Sequence, residues 1–360
     1  MKKNVLQDFD MIGFQDNLVQ WYQENKRDLP WRNSQDPYKI WVSEIMLQQT
    51  RVDTVIPYFI RFINKYPTIY DLASADSQDV LKQWEGLGYY SRVRNLHHAA
   101  KEVVATYNGH VPNDPKKLGA LKGIGPYTRG AILSIAFNQP EPAVDGNVMR
   151  VISRVLQIDD NTSEPRVKKD FEKYVREMIA KKDPSSFNQG IMELGALVCT
   201  PKTPQCHVCP VQKYCRAYEN GVVDQLPIKA KPKKQKILQY LVVLIKNANN
   251  EYIIEQRPET GLLADLWQFP MIPVNEVKLD GIENWIDKHY GLKIVLGEKK
   301  GELKHVFTHI IWDLEIFEAN TLQVESVTND WKFVHRRDLR SYPFPVSHLN
   351  MMNLLSQPLS

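Results

Sequence analysis

The four cysteines of this 360-residue chain all fall between positions 199 and 215. Their spacing is Cys199, six residues, Cys206, two residues, Cys209, five residues, Cys215. Cysteines that staple a secreted fold are usually spread along it. Four within 17 residues of a cytosolic chain point instead to a metal or cluster site. Four thiolates in one short loop can surround a [4Fe–4S] cluster or a tetrahedral zinc ion, and residue pattern alone leaves both open. His207 could compete as a ligand, although four thiolates already suffice. The loop 199–215 has almost no apolar core of its own, so a bound metal group would supply its folding energy.

Around that loop the composition is ordinary: 43% hydrophobic and 24% charged, with a length suited to two or three domains. A net charge of +4 is too mild to mark a nucleic-acid binder alone. Met1 to Gln15 mixes Lys2, Lys3, Asp8 and Asp10 with apolar residues, which excludes the uninterrupted core of a signal peptide. No stretch approaches the ~20 apolar residues of a membrane span. The expectation is a soluble cytoplasmic monomer with no membrane partner.

Two compositional regimes divide the chain. Residues 1–225 read as mostly helical: Val151, Val155 and Ile158 recur at helical spacing, as do Val93, Leu96, His97 and Ala100. Asp36-Pro37, Pro112-Asn113-Asp114-Pro115, Gln139-Pro140 and Asp183-Pro184 read as turns. Residues 226–236 hold five lysines and two prolines, a basic linker by composition, either a solvated spacer or one that also follows a phosphate backbone. Residues 237–360 become strand-like. Tyr240–Ile245 and Tyr252–Ile254 flank the hairpin signal Asn247-Ala248-Asn249-Asn250, and Val306–Phe317 is β-branched and aromatic. Ile282–Tyr290 and Val346–Leu355 look helical. The expected fold is α+β in two parts.

Three segments of the helical part carry chemistry. In Leu121-Lys122-Gly123-Ile124-Gly125-Pro126-Tyr127-Thr128, two glycines permit a tight turn and Pro126 suits a helix start. Free N–H groups there would bind phosphate. Downstream, Asp145 of Val144-Asp145-Gly146-Asn147-Val148 either caps the next helix or supplies a catalytic carboxylate, and the two roles are compatible. Amides and the helix dipole at that position favour an ionised carboxylate. Upstream, Ile40, Glu44 and Leu47 share one helical stripe. A glutamate there is either solvated, ion-paired, or buried; burial would raise its pKa toward that of a general acid. Two carboxylates held apart in this way can divide acid and anion roles.

The cysteine spacing resembles the cluster loop of endonuclease III-like DNA glycosylases. The glycine turn with Asp145 resembles the helix-hairpin-helix and Gly/Pro-rich loop with aspartate of that superfamily. Leu29-Pro30-Trp31-Arg32, Ser43 through Thr50, Gly86-Leu87-Gly88-Tyr89-Tyr90 and Glu193-Leu194-Gly195-Ala196 extend the resemblance to the adenine DNA glycosylase (MutY) family over essentially the whole chain. The resemblance implies a [4Fe–4S] cofactor on Cys199, Cys206, Cys209 and Cys215. It implies excision of adenine opposite 8-oxoguanine or guanine in double-stranded DNA. Glu44 would be the acid on the base, and Asp145 would stabilise the oxocarbenium-like sugar. Tyr127 and Asn147 would support the site. Gln49 and Tyr89 would fill the stack where adenine leaves, offsetting part of the cost of extrusion. Leu47, Thr50 and Leu87 belong to the same DNA-facing set, with Gly123 and Gly125 at the phosphates. Arg27, Trp31 and Gln189 would line the adenine pocket, and Arg32 would belong to the substrate- and DNA-binding set. Lys202, Lys213 and Arg216 either face solvent or present positive charge to DNA. In bifunctional relatives a lysine attacks the sugar from the position of Tyr127. Tyrosine there predicts base excision without efficient strand cleavage.

The carboxy-terminal part resembles the family's Nudix-like domain through Gly261-Leu262-Leu263 and Leu266-Trp267-Gln268-Phe269-Pro270. The acidic metal box of Nudix hydrolases is missing, which predicts recognition and not pyrophosphatase activity. Phe307-Thr308-His309 resembles the family's Phe-Ser-His loop for the oxidised guanine, with Thr308 keeping the hydroxyl and adding a methyl; a plain β-turn is the alternative. Two other functions stay open. An endonuclease III-type lyase is disfavoured by Tyr127 and the extra domain. A non-enzymatic metal-loop DNA-binding protein would leave Glu44 and Asp145 without a reason to coexist.

Overall fold

A computed structural model describes residues 5–230, 234–323 and 331–356. It divides into two compact units, Met1–Ser74 with Asn95–Lys231 and Ala75–Arg94 with Pro232–Ser360. Helices run α1 Met11–Asn25, α2 Pro37–Leu47, α3 Val52–Lys65, α4 Ile69–Ser74, α5 Ser77–Gln83, α6 Ser91–Tyr107, α7 Pro115–Ala120, α8 Pro126–Phe137, α9 Gly146–Val155, α10 Pro165–Met178, α11 Pro184–Leu197 and α12 Arg216–Glu219. Strands follow: β1 Lys236–Asn247, β2 Glu251–Gln256, β3 Trp267–Gln268, β4 Met271–Pro273, then α13 Ile282–Tyr290, β5 Ile294–Val306, β6 Ile310–Thr321, β7 Trp331–His335 and α14 Val346–Met352. None of the described helices is long and apolar enough to cross a membrane.

Three of the Asp-Pro steps read as turns are helix starts. Asp36 accepts from Tyr38 N at 2.9 Å, Asp114 from Lys117 N at 2.8 Å and Asp183 from Ser186 N at 2.9 Å. Each is followed by proline, which gives up an N–H that a first helical turn leaves unpaired anyway. Such caps stabilise by about 1 kcal/mol each. α11 is the axis of the first unit, packing on α1, α8 and α9, while α2 packs on α8. Phe14 and Leu18 of α1 meet Val151, Ile152 and Val155 of α9, Phe171 and Val175 of α10, and Phe187, Ile191 and Leu194 of α11. Burying each such side chain contributes about 1.5–3 kcal/mol. α9 stops at Val155; Gln157 turns left-handed (φ 51°), and Ile158 reaches the core from beyond the helix.

In the second unit the strand order is β3-β2-β1-β6-β5, with β4 on β1 and β7 on β2. β1 runs parallel to β6 and antiparallel to β2 and β4. Val242 and Leu244 point to one core with Trp312, Phe344 and Met351; Leu241, Val243 and Ile245 point to the other with Ile282, Ile286 and Phe317. Covering both faces explains why β1 is an unbroken apolar run instead of an alternating one. The segment Val306–Phe317 is not one strand: β5 and β6 meet at a turn over 307–309.

The division into units differs from the expected linear one. Residues 75–94 belong with the carboxy-terminal unit. Gln78 Nε2 donates to Asp265 O (3.1 Å), Trp267 Nε1 to Gln78 Oε1 (2.9 Å), Lys82 Nζ to Tyr342 O (3.1 Å) and Phe344 N to Glu85 Oε1 (2.9 Å). Composition gives no sign of this, because α5 is an ordinary short helix. Within the basic segment 226–236, residues 231–233 lie outside the described residues. Its first half is docked: Ile228 O accepts from Thr162 N at 3.0 Å, and Ala230 N donates to Ser163 Oγ at 3.2 Å.

Candidate active site and cluster loop

A cleft in the helical unit collects Arg27, Trp31, Arg32, Glu44, Leu47, Thr50, Tyr127, Asp145, Asn147, Gln189, Met192 and Glu193. Glu44 sits on α2, whose two other stripe residues also line the cleft, Ile40 and Leu47. It is 6% exposed, and Tyr127 Oη donates to its Oε2 at 2.6 Å. Burial pushes the carboxyl up from 4.5 to about 7, opposed by the Tyr127 hydrogen bond and reinforced by the nearby Asp145 charge. Near neutral pH Glu44 therefore holds a proton that it can give up, the condition for a general acid.

Asp145 caps α9, accepting from Val148 N at 2.7 Å. Asn147 also donates to it through backbone and side chain. Asn147 Oδ1 accepts from Arg150 Nη2 at 2.9 Å, which turns the amide so that its N–H faces Asp145. Gly195 makes room, since a Cβ there would lie 2.8 Å from Asn147 Cβ. The amides and helix dipole expected to keep Asp145 ionised are outweighed: burial is the larger influence and raises its pKa, while Val148, Asn147 and Arg150 pull the other way. The arrangement sets a protonated acid and a donor-supported carboxylate in one cleft, suited to protonating a leaving group while steadying a cation.

Glu193 was not singled out from sequence. It lies one turn after Gln189 on α11 and is 2% exposed. Arg27 Nε and Nη2 meet its two oxygens at 2.8 Å each, and Arg32 Nη1 and Nη2 at 3.2 and 3.0 Å. The hydrogen bonds from Arg27 and Arg32 overcome its burial and hold its carboxyl down at about 2. Arg27 and Arg32 thus form the cleft wall through Glu193. The signal was available: Gln189 and Glu193 share a face at i and i+4. Trp31 packs edge-on to Phe59 at 5.5 Å, and Gln189 Nε2 donates to Ser185 Oγ at 3.1 Å.

The glycine turn joins α7 to α8. Gly123 is left-handed (φ 84°), and a Cβ there would lie 2.7 Å from Asn95 Cβ. Gly125 caps α8 in extended backbone, exposed, with Pro126 behind it. Two residues nominated as wedges share a signature. Gln49 (φ 57°) and Tyr89 (φ 48°) are both exposed and both left-handed, a conformation costing about 1–2 kcal/mol for such residues. Leu87 and Tyr89 are in the second unit, as is the turn 307–309. There Phe307 packs on Trp312 at 4.9 Å, leaving Thr308 and His309 exposed, and Tyr89 Oη lies 2.8 Å from Thr308 Oγ1.

Cys199, Cys206, Cys209 and Cys215 line one cavity whose other walls include Val151, Val155, Leu194, Val198 and Val211. Four thiols lining one largely apolar cavity are the donor set that an iron–sulfur cluster takes. Arg216 is not spread toward a partner: it donates to Val5 O at 2.7 Å and Gln7 O at 2.9 Å.

Comparison with known proteins agrees with this geometry. Residues 42–177 match the HhH-GPD superfamily base excision DNA repair protein, 199–215 the iron-sulfur binding domain of endonuclease III, and 241–354 the NUDIX domain. An adenine DNA glycosylase of Mus musculus is 36% identical over 89% of this chain and 73% of its own length. The chain belongs to the adenine DNA glycosylase family. The family's Arabidopsis thaliana member is 40% identical over 81% of the chain, which spans only 55% of that relative. Among solved structures, a thermostable thymine-DNA glycosylase superposes with a TM-score of 0.53 at 28% identity, covering 58% of this chain and 97% of its own. The cofactor of this adenine DNA glycosylase family member is a [4Fe–4S] cluster, and the matching iron-sulfur segment 199–215 is the one that contains all four cysteines.

Proposed function

We propose that the chain hydrolyses the N-glycosidic bond of adenine mispaired with 8-oxoguanine, or with guanine, in double-stranded DNA. The observation that carries this reading is Glu44, buried, held near neutrality and bonded to Tyr127 across the cleft from Asp145. Adenine leaves poorly until N7 is protonated. Glu44 donates that proton, the C–N bond breaks, and the positive charge left on the sugar is steadied by Asp145. Arg27, Arg32 and Glu193 form a rigid charged wall for the extruded base. Water completes the hydrolysis at the sugar carbon. Tyr127 has no amine with which to form a Schiff base, so the strand stays intact. Gln49 and Tyr89 fill the vacated stack, and Thr308 and His309 read the opposite base. The cluster ties the loop 199–215 to α9 and α11, and takes no part in the bond-breaking.

Excision should fall on the alkaline side as Glu44 loses its proton near pH 7, and on the acid side as Asp145 gains one. Duplexes carrying adenine opposite 8-oxoguanine, guanine or thymine, split with and without hot alkali, test the proposal. Breaks only after alkali, strongest opposite 8-oxoguanine, are expected. Breaks without alkali, or activity confined to damaged pyrimidines, would sink it.

A further inference from the structure

Arg154 is one of the largest fully buried side chains in the molecule, at 1% exposure on α9. Its guanidinium donates to Thr200 O at 2.8 Å, Pro201 O at 3.1 Å, Val223 O at 3.1 Å and Leu226 O at 3.0 Å. Its Nη1 also lies 3.3 Å from Cys199 Sγ. Among the described residues no carboxylate comes within ion-pair distance of it. This contrasts with Arg27 and Arg32, which share Glu193. Carbonyl dipoles satisfy its hydrogen bonds but leave its charge unbalanced, and a buried charge without a counter-charge costs several kcal/mol.

We infer that Arg154 is the counter-charge of the iron–sulfur cluster and sets its reduction potential through the hydrogen bond to Cys199 Sγ. A cluster held by four thiolates carries net negative charge, which grows with each electron gained. A positive charge and an N–H donor at a ligand sulfur stabilise the electron-richer state and raise the potential. The couple concerned is the gain or loss of one electron by the cluster, exchanged with an electrode, with no bond made or broken at Arg154. The same side chain fastens both ends of the cysteine loop: it binds 199–201 on one side and 223–226 on the other. Lysine cannot replace it. An ammonium presents its donors from one point and cannot span acceptors on both segments.

The test uses the full-length protein loaded with its cluster, comparing Arg154→Lys and Arg154→Met with the parent by protein-film voltammetry. Both potentials should move negative, methionine more than lysine. For methionine we expect at least a tenfold change in the oxidised-to-reduced ratio, about 59 mV for one electron. Cluster absorbance should also bleach faster in both variants. Voltammetry reads only molecules that hold a cluster, so a weakened fold does not imitate the shift. A methionine variant that folds but holds no cluster has lost the loop fastening, and the lysine variant then decides. Should it fail to fold, the lysine variant decides. Arg176→Lys, an exposed pair with Glu141, should leave the potential unchanged. Parental potentials in the Arg154 variants would overturn the inference.

Discussion

Glu44 and Glu193 line the same cleft, at 6% and 2% exposure, yet one titrates at about 7 and the other at about 2. Burial pushes both upward, so burial does not separate them. Glu44 receives one phenol, whereas Glu193 receives two guanidinium groups and the Arg27 backbone N–H. One wall of the cleft is built to hold a proton ready, and the other to hold charge still.

The largest break in this contrast is Glu44→Gln. Excision should fall by about 10²–10⁴-fold, the usual contribution of a general acid. Stability should move the opposite way. Because the folded pKa lies above the ordinary 4.5, the native state binds more protons between pH 4.5 and about 7, and wild-type stability declines across that window. The gap corresponds to about 3 kcal/mol. Urea melts at pH 8 should therefore find the glutamine variant more stable by up to that amount, with little difference at pH 4.5. A destabilised variant at pH 8 would contradict a raised Glu44.

Glu193→Gln comes next and acts in the other direction. Removing one partner of a buried ion pair leaves Arg27 and Arg32 facing a neutral amide, at a cost of about 3 kcal/mol. The wild-type contribution is present above the ordinary glutamate range and lost as pH falls toward 2. A denaturation midpoint that hardly moves at pH 7 would show that the wall is not held by charge.

Tyr127→Phe sharpens the comparison. It removes the hydrogen bond that pulls Glu44 downward, so the alkaline limb of excision should shift to higher pH, with about 1 kcal/mol of stability lost. A shift to lower pH would reverse the assigned cause. Smallest of all, Thr308→Ser lies outside the cleft and removes one methyl, worth about 1 kcal/mol. It should change the preference for 8-oxoguanine over guanine by less than about tenfold while leaving the pH profile alone.

What could be read beforehand follows from how local each cause is. Glu44 was legible only through the family resemblance, because a carboxylate on an apolar helical stripe can equally be solvated or ion-paired. Asp145 was legible as a cap, but its balance of burial against amides depends on packing that no local pattern records. The face that Glu193 shares with Gln189 could be read, but its partners Arg27 and Arg32 could not, and Arg154 stayed hidden because its partners lie in the distant 199–201 and 223–226 segments. β1 to β2 was visible as a hairpin, whereas the parallel pairing of β1 with β6 joins residues more than sixty positions apart. The membership of residues 75–94 is the extreme case, since nothing in α5 declares which unit it joins.

That membership has a consequence for how the chain comes into being. During synthesis at roughly 5–20 residues per second, Gln78, Lys82, Glu85 and Tyr90 emerge long before their partners. Their partners Asp265, Trp267, Tyr342 and Phe344 lie 187 to 260 positions further on, so those first residues wait on the order of ten to fifty seconds. The nascent helical unit must carry an unfinished loop through that interval. A ribosome halted after residue 231 would hold a chain in which Gln78, Lys82, Glu85 and Tyr90 still lack the partners Asp265, Trp267, Tyr342 and Phe344.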